Sequence, residues 1–212
     1  MDQTDTPPRK RGRPPKDRSA PDAPRQRMMR AGLAILTEKG FSAVGIEEIL
    51  AAAGVPKGSF YYDFESKDAF GLALIEAYAS YFAQKLDRAF LDDSRAPLAR
   101  LGAFVEDACA GMARFGFRRG CLVGNLGQEM GVLSEPFRAA LIAVLHDWEA
   151  RTERLFRAAQ AAGEIAPGAD PARLAAAFWI GWEGAVLRAK LERRAAPLEI
   201  FAEEFTTRLR AD

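Results

Sequence analysis

The sequence predicts an all-α protein, on three observations. From Arg25 onward Ala, Leu, Glu and Arg dominate and β-branched residues are sparse, a composition that favours helix over strand. No stretch alternates apolar and polar residues for long, while apolar positions recur every three or four residues, the helical period. Glycines and prolines cut the chain into segments of helix length. About nine helices result.

The first is expected from about residue 25 to 39, with Met29, Leu33 and Leu36 on one stripe and Gly40 as its stop. Phe41 then packs back. A short second helix over 46–53 turns Ile46, Ile49 and Leu50 inward and ends at Gly54. Pro56 suits the first position of a third helix of about seven residues, because the N–H it lacks has no helical partner there. Ser66 can cap a long fourth helix through its side-chain oxygen, and Leu74, Tyr78, Phe82, Leu86 and Phe90 recur every four residues along it. Breaks near Pro97, Gly120, Pro136, Pro167 to Pro171 and Pro197 divide the remainder into about five more helices.

Composition excludes several function classes. The chain has 212 residues, with 30 Lys and Arg against 29 Asp and Glu, so its formal charge is +1 and global charge points to neither nucleic acid nor membrane. Cys109 and Cys121 make neither a disulfide framework nor a CxxC site, and the lone His146 has no His or Cys near it in sequence, so no metal site and no cofactor are expected. The apolar run from Leu174 to Trp182 stops at Glu183, far short of the roughly 20 residues a spanning helix needs. With a charged, proline-rich start in place of a secretory signal, the expectation is a soluble cytoplasmic protein.

Residues 1–24 read as a disordered arm: prolines are frequent, apolar side chains nearly absent, and burial cannot offset the entropy of ordering. Arg9, Lys10, Arg11, Arg13, Lys16 and Arg18 outnumber Asp2, Asp5 and Asp17 there, so charge is polarised along the chain. Arg11 and Arg13 lie in an Arg-Gly-Arg-Pro run. Two readings stay open: a solvated tail drawn to phosphates, or arginines inserted into a narrow minor groove.

Two short helices joined by Ala-Gly-Val-Pro behind a longer supporting helix have the punctuation of a helix-turn-helix. In such a unit the second helix enters the major groove, and its first turn here carries Lys57, Gly58 and Ser59, followed by Phe60, Tyr61 and Tyr62. The pattern alone fits equally a helical hairpin inside a bundle. The stretch from Gly54 to Phe70, Gly-Val-Pro-Lys-Gly-Ser-Phe-Tyr-Tyr-Asp-Phe-Glu-Ser-Lys-Asp-Ala-Phe, resembles the signature of the TetR family of transcriptional repressors. The resemblance implies a homodimer with a helix-turn-helix domain at residues 25–70 and a ligand-binding and dimerisation domain at 71–212. It implies that Lys57, Gly58, Ser59, Tyr61 and Tyr62 serve double-stranded operator DNA and that Lys67 meets a phosphate, as a helix N-terminus favours. Val44 and Gly45 stand where relatives often carry a hydroxyl residue, and Asp63 where a neutral or basic one is common, so neither place supplies a DNA contact.

Further on, the segments from Gly120 to Glu129 and from Ala177 to Ala185 resemble the acrylate-responsive repressors of dimethylsulfoniopropionate metabolism. The Gly-Cys-Leu segment is also similar to repressors that sense N-ethylmaleimide and other electrophiles. What this implies is release of DNA by acrylate, acryloyl-CoA or a related electrophile. Asn125, Gln128 and Glu129 share one face of an apolar helix, either a ligand-reading strip or a solvent-facing one. Trp179 and Trp182 either line a cavity or fill the core. Glu183, amid apolar residues, needs a partner, with Arg118, Arg119 and Arg188 the candidates, or else becomes neutral. Cys121 is either a packing residue or a thiolate favoured by Arg118 and Arg119, open to adduct formation. Dimerisation is expected to use the last two helices, with Leu198, Phe201, Phe205 and Leu209 as the apolar stripe that a second copy covers.

The function these features predict is a ligand-responsive repressor and not an enzyme. The alternatives are an electrophile or redox sensor acting through Cys121, a helical acyl-thioester enzyme using Glu129, Glu183 and Cys121, and an architectural DNA binder without an inducer.

Overall fold

The computed structural model describes residues 23–209, so the expectations for Arg11 and Arg13 lie outside the described residues. Among the described residues the chain is all-α, in nine helices: α1 (Pro24–Lys39), α2 (Ile46–Ala53), α3 (Lys57–Asp63), α4 (Lys67–Phe90), α5 (Pro97–Ala113), α6 (Leu122–Met130), α7 (Glu135–Ala161), α8 (Pro171–Glu192) and α9 (Ala196–Leu209). None is long and apolar enough to cross a membrane.

Helix α1 begins inside the segment read as arm, at Pro24, because proline supplies the φ a first turn needs. It stops at Gly40, whose φ of 88° ordinary side chains avoid and whose N–H donates to the Leu36 carbonyl at 3.0 Å. Pro56 sits one place outside α3, with Lys57 opening the helix. Ser66 caps α4 as its sequence suggests, its Oγ accepting from the Ala69 N–H at 3.0 Å.

Short helices are marginal in water by themselves, so α2 and α3 depend on what they bury. Ile49, Leu50, Val55 and Phe60 close over Met28, Leu36 and Phe41 from α1 and the turn after it, all buried. Phe60 is the anchor of α3, its ring 5.5 Å from Phe64 and 5.6 Å from Phe70, and Phe64 lies 4.9 Å from Phe70. These contacts tie the three-helix unit to the start of α4.

The larger body packs α4, α5, α7 and α8 together, with α9 against α8 and α5. Aromatic rings fill its centre: Phe82 lies 4.4 Å from Trp148, Trp148 4.8 Å from Trp179, and Phe104 5.4 Å from Trp182. Helix α6 lies between α7 and the back of α1.

Two sequence expectations change here. Trp179 belongs to the core and is absent from the lining of the main cavity described below: it is 2% exposed, and its indole N–H donates to Thr152 Oγ1 at 2.9 Å. Leu198 is buried within its own chain, and the half-buried Phe201 and Phe205 turn inward onto Phe178 at 5.7 and 5.4 Å. The apolar residues that protrude from this end are instead Ile180, Leu187 and Leu191 on α8 and Ile200 on α9. The reason is register: α9 turns its ring-bearing face to α8, which leaves the outer side of α8 bare.

Candidate functional site

Two sites lie on either side of α1. The outer one is α3. Lys57, Gly58, Tyr61 and Tyr62 are exposed, Ser59 is half-buried, and no atom lies within 4 Å of where a Gly58 side chain would begin. Phe60 is buried beneath the helix and turns these residues outward. Lys57 donates to Glu47 of α2 at 2.9 Å, and the exposed pair pushes the lysine pKa up and the glutamate down. Glu47 lies outside the residues the sequence singles out, and its signal is an acid on the helix preceding α3.

Lys67 departs from its expected role. At the first turn of α4 its amino group donates to the Phe41 carbonyl at 2.7 Å and lies 4.4 Å from the centre of the Phe41 ring, so it holds the turn after α1.

The inner site is a cavity of about 350 Å³ walled by α1, α4, α5, α8 and the loop into α6. That is the lower end of the range for ligand pockets, roughly 300–1,000 Å³. Helix α1 contributes Arg30, Leu33, Ala34 and Thr37, so the three-helix unit is part of the wall. Tyr78, Phe82, Phe104 and Trp182 form the apolar side. Tyr78 and Phe82 come from the α4 stripe read as core, yet leave room beside them.

Cys121 and Glu183 stand at one end, where a second chamber of about 140 Å³ adjoins the first and shares both residues with it. The Tyr78 hydroxyl donates to Cys121 Sγ at 3.8 Å, and the thiol hydrogen-bonds the Glu183 carboxyl. No arginine answers Glu183: Arg118 pairs with Glu38, Arg188 pairs with Glu192, and the Arg119 guanidinium lies 4.0 Å from the centre of the Phe115 ring. Burial therefore pushes its pKa up to about 7. A side chain on Gly124 would overlap this carboxyl, so the glycine is what admits it.

The expected Cys121 thiolate is corrected by the same geometry. Burial and the neighbouring Glu183 push the thiol well above its ordinary pKa, while the arginines that were to lower it are engaged elsewhere. Tyr78 is raised for the same reason, chiefly burial.

The polar strip on α6 divides. Asn125 donates its amide to the carbonyls of Leu36 at 3.1 Å and Thr37 at 2.9 Å. Glu129 accepts from the N–H groups of Phe41 at 3.0 Å and Ser42 at 2.6 Å. Gly120 N–H and Lys190 also donate to the Thr37 carbonyl, at 3.0 and 3.1 Å. The last carbonyls of a helix have no partner within it, and those of α1 are met here by α6, α8 and the loop before α6. Glu129 lines neither chamber, so its assignment to ligand is corrected to a clasp on the α1–α2 turn, while Asn125 and the exposed Gln128 reach only the smaller chamber.

Of the residues first assigned to ligand, Cys121, Trp182 and Glu183 meet in the main cavity. Missed were Tyr78, Lys85, Arg114 and Arg119. The basic and aromatic run from Arg114 to Arg119, just before the Gly-Cys-Leu segment, was the available signal.

Comparison with known proteins is consistent across sequence and structure. Residues 29–74 match the family of bacterial regulatory proteins, tetR family, and residues 97–205 match the tetracyclin repressor-like C-terminal domain. The chain is 63% identical to the transcriptional regulator AcuR of Cereibacter sphaeroides, over 97% of this chain and 95% of that protein. It is 33% identical to the HTH-type transcriptional repressor DhaR of Mycobacterium sp. strain GP1, over 84% of this chain and 87% of that one. The crystal structure of a regulatory protein TetR from Rhodobacter sphaeroides superposes with a TM-score of 0.84 at 65% identity, covering 86% of this chain and 96% of that one.

Proposed function

Because the chain belongs to the TetR family of bacterial regulatory proteins, we propose that it is a transcriptional repressor that holds operator DNA as a homodimer and is released by acrylate, acryloyl-CoA or a related small acyl compound. The observation that carries this is the shared wall: α1 supports the recognition helix on one side and lines the cavity with Leu33, Ala34 and Thr37 on the other. A ligand there touches the DNA-reading unit directly.

Lys57, Gly58, Ser59, Tyr61 and Tyr62 meet the major groove, and Lys57 exchanges Glu47 for phosphate or a base edge. Two such helices must sit about 34–36 Å apart to read successive major grooves. The protruding stripe of Ile180, Leu187, Leu191 and Ile200 supplies an apolar face for the second copy. A ligand pressing on Cys121 and Gly120 displaces the start of α6. Asn125 and Glu129 pass that shift to the end of α1 and the turn after it. DNA is released to the extent that the ligand prefers the displaced arrangement.

Electrophile sensing through Cys121 draws less support, because a thiol held protonated is a poor nucleophile. A gel shift on the DNA upstream of the protein's own gene, titrated separately with acrylate, acryloyl-CoA and N-ethylmaleimide, tests the assignment. Release by either acyl compound is the expected result. Release by N-ethylmaleimide alone favours the electrophile sensor, and binding that persists with all three overturns the inducer while leaving the DNA-binding assignment intact.

A further inference from the structure

Helix α1 ends against three other parts of the chain at one atom. The Thr37 carbonyl is among the last four of the helix, which have no partner inside it. It accepts from Asn125 of α6 at 2.9 Å, from the Gly120 N–H of the loop before α6 at 3.0 Å and from the Lys190 ammonium of α8 at 3.1 Å. A carbonyl oxygen offers two lone pairs, so three donors exceed what satisfying the backbone requires. The lysine is the surplus one, and something other than helix capping accounts for it.

Its setting is costly. A lysine near a helix end ordinarily reaches water, whereas Lys190 is half-buried and lies along the wall of the smaller chamber. Burial lowers its pKa, Glu38 and Glu129 pull it upward and Arg193 lowers it further. Among the described residues no carboxylate pairs with it, and its hydrogen bond goes to α1. Lys39, the base in the last turn of α1 itself, is spent on Glu48 of α2 at 2.6 Å, so the negative end of the α1 dipole takes its cation from another helix. Gly120 admits that approach: a side chain there would begin 3.2 Å from the Lys190 stem.

What else α8 carries gives the link its meaning. The same helix presents Trp182, Glu183 and Val186 to the main cavity and the protruding Ile180, Leu187 and Leu191 to the outside. Lys190 therefore joins the helix that bears the proposed subunit face to the helix that braces α3, across 153 positions of sequence.

Resting on the homodimeric repressor proposed above, we infer that Lys190 is a positioning residue for operator recognition: its bond to the Thr37 carbonyl fixes how α1 sits on α8, and thereby how far apart two recognition helices stand in a pair. Asn125 and Gly120 hold the same oxygen, so the carbonyl stays satisfied when the lysine is removed. Position is lost before stability.

Distance measurement between spin labels on the two copies reads that separation without an effector. The label is placed on Glu65→Cys, exposed just beyond α3, in the full-length protein carrying Cys109→Ser and Cys121→Ser. This parent should give one narrow interchain distance. Lys190→Met keeps the apolar stem, removes the donors, and should shift or broaden that distance by several ångströms. Lys190→Arg restores a donor and should return it. Melting temperatures of both variants should stay within about 3 °C of the parent. Affinity for the DNA upstream of the protein's own gene should fall about tenfold in Lys190→Met, as fewer pairs hold the competent separation, and recover in Lys190→Arg. A Lys190→Met distance that superposes on the parent's, or a change that Lys190→Arg leaves uncorrected, overturns the positioning role while the homodimer stands. Operator binding that stays native despite a changed distance overturns it too, as does a melting temperature that collapses along with the distance, which reassigns Lys190 to stability alone. Absence of any interchain distance overturns the homodimer and the positioning role together.

Discussion

Helices α3 and α6 are both short, both lie near α1, and both carry a strip of polar residues, yet they use it in opposite ways. On α3 the strip points outward, Lys57 and Tyr61 stand exposed, and Phe60 is the residue the helix buries. On α6 the strip turns inward, and Asn125 and Glu129 bond the backbone of α1 and the turn after it. The polar face of a short helix is thus no guide to its partner. What decides is which apolar residues anchor the opposite face. Leu122, Val123, Leu126 and Met130 are all buried on α6 and fix which way its polar side looks.

The contrast can be broken, and the largest effect should come from Gly40→Ala. The substitution forces a side chain into a left-handed φ and into the Glu129 carboxylate, so a loss of about 3–4 kcal/mol is expected in urea denaturation. A loss under 1 kcal/mol would show that the clasp on the turn yields easily.

Next is pH. The Glu183 carboxyl keeps its proton up to about 7 in the folded chain, against an ordinary value of 4.5. Between those values the unfolded chain has released the proton and the folded chain has not, so stability falls as pH rises through the window, by roughly 3 kcal/mol at most. Glu183→Gln removes this dependence. Unfolding free energies of variant and native protein should diverge in the variant's favour from pH 4.5 to 7.5, and parallel curves would refute the assignment.

Glu129→Ala leaves the Phe41 and Ser42 N–H groups without their acceptor and should lower stability by about 1–3 kcal/mol. It should also raise the inducer concentration needed for DNA release. A stability loss with an unchanged release curve would separate α6 from signalling. Lys57→Ala should weaken operator binding about tenfold, as expected for one lost base or phosphate contact, with an unchanged melting temperature. Smallest of all, Glu47→Gln frees Lys57 from its exposed partner and should tighten operator binding about twofold at low salt, read by fluorescence anisotropy.

The three-helix unit was legible in the sequence because its signals are local. Gly40, Gly54, Pro56 and Ser66 punctuate helices within a few residues of where they act, and each element from α1 to α4 lies within a residue or two of its expected span. The inner site was not, because it joins residues distant in sequence. Glu129 meets Phe41 across 88 positions and Tyr78 meets Cys121 across 43, and no period or spacing encodes such pairings. Glu183 was recognisable as an acid in an apolar helix, but its neighbour is a thiol and not the arginine that charge arithmetic suggests. Trp179 and Trp182, three positions apart on α8, are both almost wholly buried, yet only Trp182 lines the cavity.

Leu33 and Ala34 line the cavity from the helix that braces the recognition helix. On the proposed function, diversifying the cavity toward a bulkier effector would therefore meet two kinds of position. Substitutions at Tyr78, Phe82 or Trp182 reshape the chamber from α4 and α8. Substitutions at Leu33 or Ala34 should, on the same proposal, adjust effector choice and grip on the operator together, so a library built there should yield proteins stuck permanently off or permanently on more often than proteins with a new taste.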